Sequence, residues 1–223
     1  MAFSGFPSEG LDFLAGLEAD NSKSYWQEHK AVYDRALKGP MEALLAEVDE
    51  RFRPLRMFRP NRDVRFAKDK SPYKTHVAAA GERVGGALYY VQLSATGLMI
   101  GSGAHFLLSD QLVRFRAAIH HEASGAGFLD LVEHYDRAKG LRLTSGGDAP
   151  LKTAPKGYPK DHPRIEYLRW KGATVFQEFG DPTWLHTAKA KTRIEQGWAA
   201  CDPLNEWLDR HVGPSEMPPE ERR

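Results

Sequence analysis

Apolar positions recur at helical spacing through the first fifty residues. Leu11, Phe13, Leu14 and Leu17 share one side of a predicted helix that Ser8 can cap. Asp20-Asn21-Ser22 interrupts it, and Tyr25, Trp26, His29, Val32, Tyr33 and Leu37 resume the same period. Gly39-Pro40 is expected to end this second helix. Pro40 then suits the first turn of a third, which carries Met41, Leu44, Leu45, Val48 and Phe52. These stripes read as core packing.

From Leu55 the period shortens. Leu55 to Arg59 reads as a short strand, and Thr75–Ala80, Ala87–Leu93 and Gly97–Ile100 as three more. Glu82-Arg83-Val84-Gly85-Gly86 and Ser94-Ala95-Thr96-Gly97 supply turns, so an antiparallel meander is expected. A helix capped by Ser109 or Asp110 follows, with Leu112, Phe115 and Ile119 on one face, and then another over Gly127–Ala138. The remaining expectations are a strand at Leu141–Thr144, a loop at Asp148–Pro163, a short helix at Arg164–Trp170, a strand at Ala173–Phe179 and a helix from Pro182 to Trp198. The fold class is therefore α+β. An antiparallel or mixed sheet packs against an N-terminal helical part and further helices, as a single domain over residues 1–212. The charged, proline-rich residues 213–223 read as a disordered tail.

Composition narrows the class. With 223 residues, 41% hydrophobic and 27% charged, the chain can bury a core without disulfide or metal staples. No apolar run is long enough for a membrane span, and the first residues have neither a basic nor an apolar leader region. Cys201 is the only cysteine, which fits a reducing compartment, so a cytoplasmic location and no membrane partner are expected. The formal net charge of +1 argues against coating nucleic acid through bulk charge.

That sum conceals polarity. Between Arg51 and His76 nine basic residues face only Asp63 and Asp69, a local excess of +7 against about −6 elsewhere. The basic segment 56–76 alternates charge with Val64, Phe66, Pro72 and Tyr73. If Arg62–Phe66 is extended, Asp63 and Arg65 share a face where the carboxylate can hold the guanidinium in a fork, while Phe66 anchors inward. Pro72 suits the second position of a type I turn that would gather Lys70, Tyr73 and Lys74. Arg62, Arg65, Lys68, Lys70 and Lys74 are thus candidate donors to phosphate or carboxylate oxygens, with Asp63 and Asp69 orienting them and Tyr73 touching the ligand.

The block Arg62-Asp63-x-Arg65-Phe66-x-Lys68-Asp69-Lys70-Ser71-Pro72-Tyr73-Lys74 resembles the hallmark of an uncharacterised family of microbial proteins, a domain of unknown function. Pro155-Lys156-Gly157-Tyr158 followed by Asp161-His162-Pro163 is similar to its second block. Where that family tends to show two asparagines followed by Trp-Phe, this chain has Asp20-Asn21 and then Tyr25-Trp26. The resemblance spans roughly residues 3–212. It implies one α/β or α+β domain and no known reaction.

The lysine loop at 152–163 offers Lys156 as a further ligand donor if it folds against the basic segment, and Gly157 would permit close backbone approach. It also reads as a surface loop in which Asp161 caps the short helix. None of the nine histidines has metal-ligand spacing, and His120 and His121 diverge on a helix, so neither a metal nor another cofactor is assigned. His76 is the best candidate acid or base, with Asp63 beside it as a second catalytic candidate. Gly101-Ser102-Gly103 lacks the rest of a phosphate loop, and Cys201 lacks an activating histidine.

Three readings follow. The preferred one is binding of an anionic small molecule, phosphorylated or carboxylated. The alternative is a nucleic-acid-binding module in which Phe58, Phe66 and Tyr73 stack on bases. The third is a purely structural network of buried Arg–Asp pairs. Whether a reaction is catalysed, and in what oligomeric state, the residues leave open.

Overall fold

A computed structural model describes residues 2–82 and 87–218. In chain order the elements are α1 (Ser8–Ala19), α2 (Lys23–Val32), α3 (Gly39–Glu47), β1 (Arg56–Met57), β2 (His76–Glu82), β3 (Leu88–Ser94), β4 (Gly97–Ala104), α4 (Ser109–His120), α5 (Glu122–Arg137), β5 (Leu141–Thr144), α6 (Ile165–Leu168), β6 (Ala173–Gly180), α7 (Lys189–Ala200) and α8 (Asp202–His211). The fold is α+β, with helices at the N-terminus and a six-stranded antiparallel sheet in the order β1-β2-β3-β4-β6-β5. No helix among the described residues is long and apolar enough to cross a membrane.

Two compact units make up the chain. The first takes residues 1–81, 90–100 and 178–197; the second takes 82–89, 101–177 and 198–223. Each collects three separate segments, so no linker marks a boundary in the sequence.

In the first unit, Leu11, Phe13, Leu14 and Leu17 are buried along one side of α1, at the spacing that predicted the helix. Ser8 is its first residue rather than its cap; Pro7 holds the capping position without a side-chain bond. Ser22 does cap α2, accepting from the Tyr25 N–H at 3.1 Å. Gly39-Pro40 does not end that helix as expected. A π turn over Tyr33–Lys38 joins α2 to α3, and Pro40, with its missing N–H, falls in the first turn of α3. Leu37, Met41, Leu44, Val48 and Phe52 then complete the buried stripe.

The meander forms as the alternation predicts: Tyr89, Val91 and Leu93 of β3 point inward while their neighbours stay partly exposed. β1 is shorter than Leu55–Arg59, pairing Arg56 with Ala80 and Met57 with Ala79. Gly81 admits the Pro54 carbonyl where any Cβ would clash. Of the predicted β2–β3 turn, residues 83–86 lie outside the described residues.

In the second unit, Phe115, Ile119, Phe128, Tyr135 and Trp198 are fully buried. Ser102 of β4 donates to the Leu88 carbonyl and meets Asn205 of α8, so the Gly101-Ser102-Gly103 stretch is ordinary strand in a buried polar contact. α8 escaped the sequence reading, although Leu204, Trp207 and Leu208 recur at helical spacing behind Pro203. Composition predicts disorder from Gly213. Instead Gly213, Pro214, Ser215 and Glu216 bond to Gln111, Arg114 and Asp110 at the start of α4. Three partners on one helix turn outweigh the polar composition; residues 219–223 lie outside the described residues.

Candidate functional site

The basic segment closes into a loop in the first unit. Asn61 and Tyr73 form an antiparallel bridge, with Arg62 N–H donating to Pro72 O at 2.9 Å and Lys74 N–H to Pro60 O at 2.8 Å. The α1–α2 junction grips this neck. Asn21 Nδ2 donates to Tyr73 O at 3.1 Å, and Tyr73 N–H donates to Asn21 Oδ1 at 3.0 Å, so one side-chain amide acts as a strand partner. Trp26 stacks on the Tyr73 ring, 4.3 Å between centroids and 11° from parallel. The break at Asp20-Asn21-Ser22, legible only as a helix end, therefore carries the clamp.

Inside the loop the charges pair with one another. Asp63 holds Arg65 in a bidentate fork, 2.9 Å to Nε and 2.6 Å to Nη2, and Arg65 first and foremost lowers the Asp63 pKa. Asp69 accepts from the Ser71 hydroxyl and backbone N–H and from Arg62 across the neck; these bonds hold its carboxyl well below the usual range. Lys70 Nζ donates to Val64 O at 2.9 Å.

Three expectations need correction. No turn is centred on Pro72; its carbonyl accepts from the Arg62 N–H beside the bridge, and Asp69 bonds the Ser71 N–H two residues on. Phe66 does not anchor inward: it is 97% exposed, since a loop closed at its neck has no core to receive its tip. The Arg–Asp pairs are not buried either; Arg65 and Asp63 are 77% and 46% exposed, so a purely structural role for them has little energetic basis.

At the base of the loop is a cleft of about 330 Å³ lined by Glu18, Asn21, Arg62, Asp69, Ser71, Tyr73, Lys74, Thr75 and His76. Lys74 is partly desolvated and its pKa falls, through burial and then through Arg59; its ammonium lies 5.1 Å from the Phe58 ring centre. His76 is lowered as well, by burial first and by Lys74 second, which favours the neutral imidazole at neutral pH. Arg62, Asp69, Tyr73, Lys74 and His76 thus meet at one cleft. Arg65, Lys68, Lys70 and Asp63 belong to the loop and not to the cleft wall. One face of Tyr73 is taken by Trp26. Glu18, Asn21, Ser71 and Thr75 join the wall without having been read as site residues.

Lys156 is exposed and belongs to the second unit, on a turn where Gly157 has φ +91° and Tyr158 N–H donates to Pro155 O. Asp161 does not cap α6. Instead His162, buried, accepts the Arg164 N–H on Nδ1 at 3.0 Å and meets His120 Nδ1 through Nε2 at 2.9 Å. Tyr158 packs edge-on to His120, and buried Arg164 donates to the Ile119 and His120 carbonyls at the end of α4. This histidine pair had no signal in sequence, because its members are far apart along the chain.

Cys201 is fully buried, and burial pushes its thiol up to about 12, which removes it as a nucleophile. Among the described residues no three His, Cys, Asp or Glu side chains gather at metal-binding range.

The closed basic loop and the polar cleft at its base form the candidate site. The chain matches the family of conserved hypothetical proteins DUF2461 over residues 9–207 and belongs to it. Comparison with curated proteins and with solved structures gives no match.

Proposed function

We propose that the cleft beneath the 61–73 loop binds a small molecule through an anionic group, phosphate or carboxylate. The observation that carries this is Lys74: a partly desolvated ammonium in the cleft wall, beside His76, with no carboxylate within ion-pair distance among the described residues. An oxyanion there offsets the cost of desolvating Lys74 and accepts hydrogen bonds from Ser71, Thr75 and Arg62. Glu18 and Asp69 line the same wall and suit a ligand that also carries hydroxyl or amine donors. If a reaction follows, His76 is the group placed to take a proton, being neutral and in the wall, whereas Asp63 is committed to Arg65.

The test is thermal stability with phosphate, sulfate and small phosphorylated or carboxylated metabolites. A ligand of the native state raises the Tm, by mass action, in the wild type and not in Lys74→Met. A set of such ligands giving no shift, or the same shift in both proteins, overturns the reading.

Phe66 favours a second reading. An aromatic ring presented bare beside Arg65 and Lys68 suits stacking on a base of single-stranded nucleic acid, with the cations along its backbone. This predicts salt-sensitive binding that Phe66→Ala abolishes; a flat salt response excludes it.

A further inference from the structure

A second cleft, of about 510 Å³, opens within the second unit where α4 ends and α5 begins. Its walls hold Arg114, His121, Ser124, Arg210 and His211, with alanines between them and no carboxylate. Arg114 is engaged by the Val212 and Pro214 carbonyls and by Asp110. Arg210, which is exposed, has no hydrogen-bond or ion-pair partner among the described residues. His121 Nδ1 faces Ser124 Oγ at 3.4 Å, and the His211 ring lies 5.0 Å from Trp207.

The electrostatics are one-sided. The His211 pKa is lowered, by burial first and then by Arg210 and His121. Cations that repel one another across a cleft are stabilised when a negative charge enters. Ala123 and Ser124 in the wall belong to the first turn of the sixteen-residue α5, whose capping position His121 supplies no side-chain cap. The N–H groups of that turn add positive partial charge to the side-chain cations.

We propose that this cleft is an oxyanion site of the phosphate or sulfate class, with Arg210 as the fixed charge, His211 as a protonatable donor and the His121 ring as a further hydrogen-bond donor. It is separate from the Lys74 cleft and does not depend on it. The charged groups facing His211 are Arg210 on its own helix, Arg114 from α4 and His121 from the corner. Of the neighbouring carboxylates, Asp110 is committed to Arg114, Ser215 and the Glu216 N–H, and Glu122 in the first turn of α5 pairs with Arg164. Binding therefore takes up protons. Above the His211 pKa, affinity falls about tenfold per pH unit. The competing account is that these cations compensate the carbonyl ends of α4 and α8 and bind nothing.

The experiment is an NMR titration of the full chain with inorganic phosphate and, separately, with sulfate, following the histidine ring signals at mildly acid and at neutral pH. The expected result is saturable shifts of His121 and His211, a raised pKa for His211 in the presence of anion, and tighter binding at the lower pH. Arg210→Gln should remove these shifts and Lys74→Met should leave them, which separates this site from the Lys74 cleft. Equal drift of all histidines, the mark of an adventitious ion only, overturns the proposal. So does an unchanged response in Arg210→Gln, or a loss of Tm in that variant with no anion-dependent shift in the wild type.

Discussion

His120 and His162 share one proton-bearing contact, Nδ1 to Nε2 at 2.9 Å, and the tautomers on both sides of it are set by the chain. The Arg164 N–H already donates to His162 Nδ1, so the His162 proton sits on Nε2 and is given to His120 Nδ1. Protonating either acceptor nitrogen breaks a bond of this relay.

Acid should therefore weaken the fold through this pair. The His162 pKa is lowered from 6.5, by burial first and by His120 and Arg164 after it. The unfolded chain thus binds more protons than the native one in the window below 6.5. The stabilisation is complete above that window and is lost as pH falls through it. Thermal melts from neutral to mildly acid pH should show a steeper fall in Tm for the wild type than for His162→Asn. The amide oxygen of that variant takes the place of Nδ1 and can accept from the Arg164 N–H without titrating. Parallel slopes would contradict the assignment.

Asn21 is expected to be the most sensitive polar residue of the loop neck. Asn21→Ala leaves both Tyr73 backbone groups without their partner in a part-buried position, a cost of about 1–3 kcal/mol. Asn21→Asp keeps the acceptor and loses the donor, and should fall between. Urea denaturation at neutral pH measures both.

Phe66→Ala should leave stability within about 0.5 kcal/mol of wild type, because the ring touches almost no protein. A larger loss in the same urea experiment would mean that the loop tip is packed.

Gly125 permits the end of α4 to be closed by Arg164. A Cβ at this position would stand 2.4 Å from the Ile119 carbonyl oxygen and 2.5 Å from Arg164 Nε. Gly125→Ala should destabilise by about 1–3 kcal/mol through overpacking, despite the better helix propensity of alanine. A neutral or stabilised variant would show that the Ile119 carbonyl and the guanidinium can both give way without cost.

Much of this molecule is legible one residue at a time. The spacing of Leu11, Leu14 and Leu17, the alternation of Tyr89, Val91 and Leu93 and the cap at Ser22 are local, and local patterns survive folding. The loop's own pairs are local too: Asp63 with Arg65 and Asp69 with Ser71 are each two residues apart, within reach in an extended segment or a turn. The clustering of cations between Arg51 and His76 was likewise plain. Their disposition was not. Whether Phe66 turns inward depends on whether a core lies behind it, and that is settled by where the neck closes.

The partners of Tyr73 and of His162 stand 52 and 42 residues away along the chain, on elements whose placement no short pattern encodes. The sequence alone determined most of the helices and strands, though not α8 or the π turn before α3, and where positive charge is concentrated, because these depend chiefly on near neighbours. Tertiary structure decided which of those charges line a cleft, which neutralise one another at the surface, and which histidines meet, because these depend on contacts that only the folded chain makes.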